Sequence, residues 1–243
     1  MTPQPNDPTQ VGSEPPRDEG DGLRLSRPEI QALGTKAARG AGYAWGQAEE
    51  AGWAAGWLAR AGLPGAAILL DVLKAQPLAP PAPAPGHWKA KGPQCPLCTG
   101  LALQDHAGLP EGPGPSSVLV DSVIWPVFLM PFVARAAAAL GAPLEMAWAD
   151  VRVTLPADGA MPTLEDPASV RAPEQATVRI TVPDPKEAVA PIAPAAKDNT
   201  GAGFEGVITL ETWQKLDTLA MCTTVTSSIE SRVRAGAQES DND

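Results

Sequence analysis

Within Ala41–Pro64, AGYAWGQAEEAGWAAGWLARAGLP, one side of the chain carries almost no side chain, and this limits the fold more than any other stretch. At about 100° per residue, Ala48, Gly52, Ala55 and Ala59 of a helix fall within a sector of roughly 60°. A face this small stabilises little unless another helix approaches to backbone distance, because interaxial spacing follows the side chains at the contact. A second sector gathers Glu49, Glu50, Trp53, Trp57 and Arg60, so bulk and charge share the remaining surface.

That second face has two readings. In one, the tryptophans close the core with their indole N–H groups partnered. In the other, Tyr43, Trp45, Trp53 and Trp57 are walls of a binding site with Glu49 or Glu50 as its polar group, since ligand sites are mostly apolar with few convergent polar groups.

The flanking sequence predicts two more helices. Ser26 and Glu29 form a capping-box pattern with Pro28 in the first turn, and Ile30, Leu33 and Ala37 follow at core spacing as far as Arg39. Gly62 suits a left-handed helix end, and Pro64 opens a third helix carrying Ile68, Leu69, Val72 and Leu73. Residues 23–75 therefore read as a three-helix unit.

The prolines of QPLAPPAPAPG, Gln76–Gly86, favour an extended strap, and 76–92 reads as a linker. In the α+β region that follows, 93–236, Leu101–Asp105 is left open between strand and helix. Val118–Val123 predicts a strand and Pro126–Leu140 a buried helix ending at Gly141. LEMAWADVRVTL, Leu144–Leu155, reads as one strand with a bulge or bend, and ATVRITV, Ala176–Val182, as a strand with one polar face. Pro183–Gly203 reads as a surface loop, Phe204–Leu210 as a strand and Glu211–Cys222 as an amphipathic helix. The fold class is α+β: the three-helix unit packed with a mixed or antiparallel sheet and two further helices.

Charge narrows the partners. Of the net −10, the first 22 residues hold five acids against Arg17, and Glu239, Asp241 and Asp243 lie in the last seven. Both tails, 1–22 and 237–243, read as disordered and acidic. The body is then nearly neutral, without the clustered cations that a phosphate backbone requires, so nucleic acid is not an expected partner. Val123–Val133 is too short and too proline-broken for a bilayer span of about 20 apolar residues. The first residues lack the basic and apolar segments of a secretory signal, and three cysteines suit a reducing compartment, so the expectation is a cytoplasmic protein.

His87, Cys95, Cys98 and His106 are the cluster with metal-ligand chemistry, spaced by seven, two and seven residues. Two histidines flanking one C-x-x-C fit none of the usual zinc patterns, and no metal and no cofactor is expected. A redox C-x-x-C needs a helix N-terminus after a strand; Lys91-Gly-Pro93 before it and Gly100 after it suggest a loop. A nucleophilic Cys95 or Cys98 with His106 as base is a third option, and small semi-buried thiols in a turn a fourth. Asp105 adds a carboxylate beside His106. No GxGxxG before a helix, GxxxxGK[ST], HExxH or GxSxG is present.

Three segments, KAARGAGYAWGQAEEAG at Lys36–Gly52, CPLCTGLALQD at Cys95–Asp105 and SRVRAGAQESDND at the C-terminus, resemble an uncharacterised family from alphaproteobacteria, a domain of unknown function. The resemblance implies no activity and no functional residues. Residues 26–75 bear a fainter likeness to the N-terminal helices of the sulfolactate and malate dehydrogenases that lack a Rossmann domain, but no matching histidine or nicotinamide-contacting sequence follows. The expected function is a cytoplasmic accessory protein that binds a small molecule or a protein partner. The alternative is a small-molecule enzyme with its site between Tyr43–Trp57 and Cys95–His106.

Overall fold

The computed structural model describes residues 22–75, 78–162, 164, 169–171, 174–183 and 205–223. The expectations for both tails and for most of 183–203 fall outside these residues. Strand β1 (Leu23–Ser26) leads into helix α1 (Arg27–Gly40), where Ser26 and Glu29 form the expected capping box and Arg39 sits in the last turn. Gly42 and Gly62, both at positive φ, flank α2 (Trp45–Arg60), and α3 (Gly65–Lys74) follows. The glycine–alanine stripe does what its size demands. A Cβ added at Gly52 would lie 2.3 Å from Thr35 Oγ1 and 2.4 Å from the Gln31 carbonyl, both on α1. No side chain larger than hydrogen fits there.

A mixed five-stranded sheet receives this unit, with β2 (His87–Trp88), β3 (Val118–Ile124), β4 (Leu144–Trp148), β5 (Val151–Leu155) and β6 (Gln175–Thr181) in the order β2-β3-β6-β4-β5. β2 runs parallel to β3 and the other pairs are antiparallel. Trp88, at the end of the proline-rich strap, is fully buried, so that strap finishes as part of the sheet. Leu144–Leu155 forms two strands rather than one bent strand. Ala149, at φ 45°, starts a two-residue hairpin that pairs Trp148 with Val151. Its turn is of the kind that needs positive φ at its first central residue, which glycine usually supplies, and the absence of glycine hid it from the sequence.

Helices α4 (Pro96–Asp105) and α5 (Met130–Leu140) cover the sheet together with a 3-10 turn at Pro126–Leu129. Gly141, in the left-handed conformation, ends α5 as expected. α4 is a helix beyond the two anticipated after the three-helix unit. Its sequence, PLCTGLALQD, does not sort its apolar and polar residues onto separate faces and gives almost no amphipathic signal. It is held instead by contact, since a Cβ on Gly100 would stand 2.3 Å from the Phe132 ring of α5. Strand β7 (Glu205–Ile208) pairs antiparallel with β1, and α6 (Leu210–Met221) packs its Leu216 and Ala220 inward against α1, where Gly40 meets the Leu219 carbonyl. The architecture is thus α+β. Among the described residues no helix is long and apolar enough to cross a membrane, and Val123–Val133 is core.

Candidate functional site

Gln94 prepares the ground for the cysteines. It is fully buried and forms parallel bridges with Ala79 on one side and Val123 on the other. Its backbone N–H donates to the Ser122 carbonyl at 2.8 Å, and its side-chain amide donates to the Asp121 carbonyl at 2.7 Å. Both carbonyls belong to the irregularity in β3 between Val120 and Val123, where Ser122 takes φ 52°. A residue bonded like a strand therefore stands immediately before α4.

Cys95 is the N-cap of that helix. Its backbone is extended, Pro96 occupies the first helical position where a missing N–H costs nothing, and Cys95 Sγ accepts the Cys98 N–H at 3.5 Å. The C-x-x-C pair thus lies at a helix N-terminus after strand-like backbone. This corrects the expectation of a loop, which Gly92, Pro93 and Gly100 had suggested and which missed the bridging of Gln94.

From the turn between α1 and α2, Tyr43 Oη reaches Cys95 Sγ at 3.3 Å, and the Gln47 amide donates to Cys98 Sγ at 3.7 Å. Cys95 is buried, 3% exposed, while Cys98 is partly open. The Cys98 thiol hydrogen-bonding to Cys95 is the main reason the Cys95 thiol is lowered from 9.0 to about 6. Burial opposes this, and the backbone N–H groups of Cys98 and Leu97 and the Tyr43 hydroxyl add to it. The same bond, with burial and the neighbouring negative charge, raises Cys98. Of the two thiols, Cys95 is therefore the one lowered and Cys98 the one raised.

The structure brings Tyr43 and Cys95 together and leaves the other expected site residues apart from them. Trp45 begins α2 and is 63% exposed, with the Arg39 guanidinium 5.4 Å from its ring centre. Arg39 also donates to the Tyr43 carbonyl, which fixes the turn. Glu49 is exposed. Glu50 and Trp53 are engaged by α5: Arg135 pairs with Glu50 and lies 3.2 Å over the Trp53 ring, which also meets Phe132 edge-on at 5.8 Å. Trp57 is half-buried against the core. His106 is the C-cap of α4, about 15 Å of helix away from Cys95. Its Nδ1–H donates to the Ala102 carbonyl and its ring packs edge-on to Trp88, so it is not the base for either thiol. Asp105 is exposed beside it. His87 pairs with Asp121 at 2.9 Å, and among the described residues no three His, Cys, Asp or Glu side chains converge.

Gln47, Arg39 and Arg135 were missed from sequence. Gln47 had a signal: it lies three residues after Ala44, whose N–H its side chain accepts at 3.2 Å in a capping arrangement. Arg135 had one too, as the only charge in the apolar run from Val123 to Leu140. A separate cleft of about 340 Å³ is lined by Asp71, Lys74, Ala75, Ile124, Trp125, Glu174 and Gln175, none of them an expected site residue.

No curated protein and no solved structure matches the chain. The resemblance to an uncharacterised family does have a counterpart, and it covers the helical unit together with Tyr43, Trp45, Gln47 and Cys95. Residues 25–95 match the model of a family described as Protein of unknown function (DUF3726).

Proposed function

We propose that this protein is an accessory protein of the cytoplasm that binds a small molecule or a protein partner, and not nucleic acid. Its working surface is the turn between α1 and α2 together with the N-terminus of α4. The observation that supports this reading is Trp45: a large aromatic left mostly in solvent, steadied by Arg39, one turn before exposed Glu49 and in the same first turn of α2 as Gln47, which contacts Cys98. Exposed aromatic residues with an arginine partner are the usual anchors of recognition surfaces. The rest of the notional tryptophan face, Trp53 and Glu50, is engaged by α5 and is assigned to packing.

The test is a ligand-observed NMR screen of small metabolites and peptides against wild type and Trp45→Ala. Compounds that bind wild type and lose binding in Trp45→Ala, with the melting temperature kept, support the surface. Compounds that bind both equally, or an empty screen, overturn it. The second reading, a small-molecule enzyme between Tyr43–Trp57 and Cys95–His106, is favoured only by the lowered Cys95 thiol.

A further inference from the structure

We propose that Cys95 and Cys98 form a reversible dithiol–disulfide couple that exchanges with low-molecular-weight disulfides, Cys98 meeting the incoming sulfur and Cys95 closing the ring. The inference goes beyond the binding surface and needs no partner docked on it. It stands on four placements. Two thiols share the first turn of α4, Cys95 Sγ already faces the Cys98 N–H, Tyr43 Oη contacts Cys95 from across the junction, and Cys98 is the thiol open to solvent.

That last placement fixes the order of events. A bulky disulfide cannot approach Cys95 at 3% exposure, so the half-open Cys98 must react first. The Cys95 thiolate accepts the Cys98 proton as Cys98 Sγ attacks one sulfur of the disulfide, whose S–S bond breaks and releases the first thiolate. Cys95 then loses that proton to water. The N–H groups of Cys98 and Leu97 and the Tyr43 hydroxyl continue to favour its thiolate after Cys98 has stopped donating. The Cys95 thiolate attacks the Cys98 sulfur, the mixed disulfide breaks, and the second thiolate leaves. Two protein thiols are oxidised to one disulfide and one small disulfide is reduced to two thiols. An excess of small thiol runs the sequence backwards. Because these bonds stabilise the reduced pair, the disulfide is an oxidising one rather than a structural staple.

Closing the ring also acts on the surface nearby. Gln47 donates to Cys98 Sγ while its oxygen holds the Ala44 N–H at the start of α2, so a change at Cys98 reaches the turn that carries Trp45.

The experiment uses the full chain with Cys222→Ser, which removes the exposed third thiol. It is equilibrated against ratios of reduced and oxidised glutathione, quenched in acid and weighed intact. The expected result is a chain two hydrogens lighter with no glutathione attached, fully restored by reduced glutathione. Cys95→Ser should stop at a glutathione adduct on Cys98. Cys98→Ser should take no adduct while folded, yet react at Cys95 in urea. Tyr43→Phe should still close, with the pH midpoint of closure moved upward, which a merely structural role for the hydroxyl would not do. A glutathione adduct that persists with both cysteines present, or an adduct on Cys95 in folded Cys98→Ser, would overturn the proposal. So would two thiols that stay free in glutathione disulfide alone. None of these readouts involves a compound bound at the Trp45 surface, so failure of the binding surface and failure of the couple are told apart.

Discussion

The middle and the start of one helix face opposite demands. In the middle of α2, Gly52 lies against α1 so closely that a single added carbon would meet backbone, whereas at its first turn Trp45 stands mostly in water. The packed segment fixes how closely the helix lies against α1. The exposed one makes use of that placement. Contacts between α2 and α1 hold the Tyr43–Gln47 turn over α4, so the precision of the thiol junction is set several residues away from it.

The largest break in this contrast is Gly52→Leu, expected to cost about 3 kcal/mol or more because the side chain must displace the Gln31 carbonyl rather than a flexible tip. Urea denaturation measures it, and a loss under about 1 kcal/mol would mean that the helices are farther apart.

Next is Arg135→Met, which strips Glu50 of its partner and Trp53 of its stacked cation, at about 1–2 kcal/mol. Glu50→Gln should cost less, about 0.5–1 kcal/mol, since both partners are about a third exposed and solvent screens the pair. A double-mutant cycle on Arg135 and Glu50 that gives no coupling would mean that Glu50 is a free surface residue.

The thiol pair gives an effect of a different kind, one that depends on pH. The folded chain releases the Cys95 proton near pH 6, and the unfolded chain keeps it until about pH 9.0, so the folded state binds fewer protons in between and stability rises with pH across that window. Above it the unfolded chain loses both thiol protons while the folded chain retains the one on Cys98, whose raised thiol reverses the slope. Urea midpoints should therefore climb between these two pH values and then fall. In Cys95→Ser the climb should vanish. The smallest effect is Trp45→Ala, within about 0.5 kcal/mol of wild type, as befits a side chain that the core does not use.

What sequence could read was local. The capping box at Ser26 and Glu29, the small stripe of α2 and the alternation at Val178 and Ile180 each need only neighbours in the chain, and each stands as expected. What it could not read was brought by distant residues. Gln94 becomes strand-like through Ala79 and Val123, α4 is fixed by Phe132, and Tyr43 meets Cys95 across half a hundred residues. Of the expected site, Tyr43 and Cys95 were legible as chemistry though not as a pair. Glu50 and Trp53 looked available because Arg135 lies far along the chain.

The ribbon of β1 and β7 pairs Leu23 with Ile208, and α6 follows at once to cover α1. A ribosome delivers α1, α2 and α3 long before either of those partners. Nascent α1 therefore waits with its α6-facing side uncovered, and long-range pairings of this kind close slowly. The exposed interval lasts through the synthesis of everything between α3 and β7, and this window for aggregation shuts when β7 and α6 arrive.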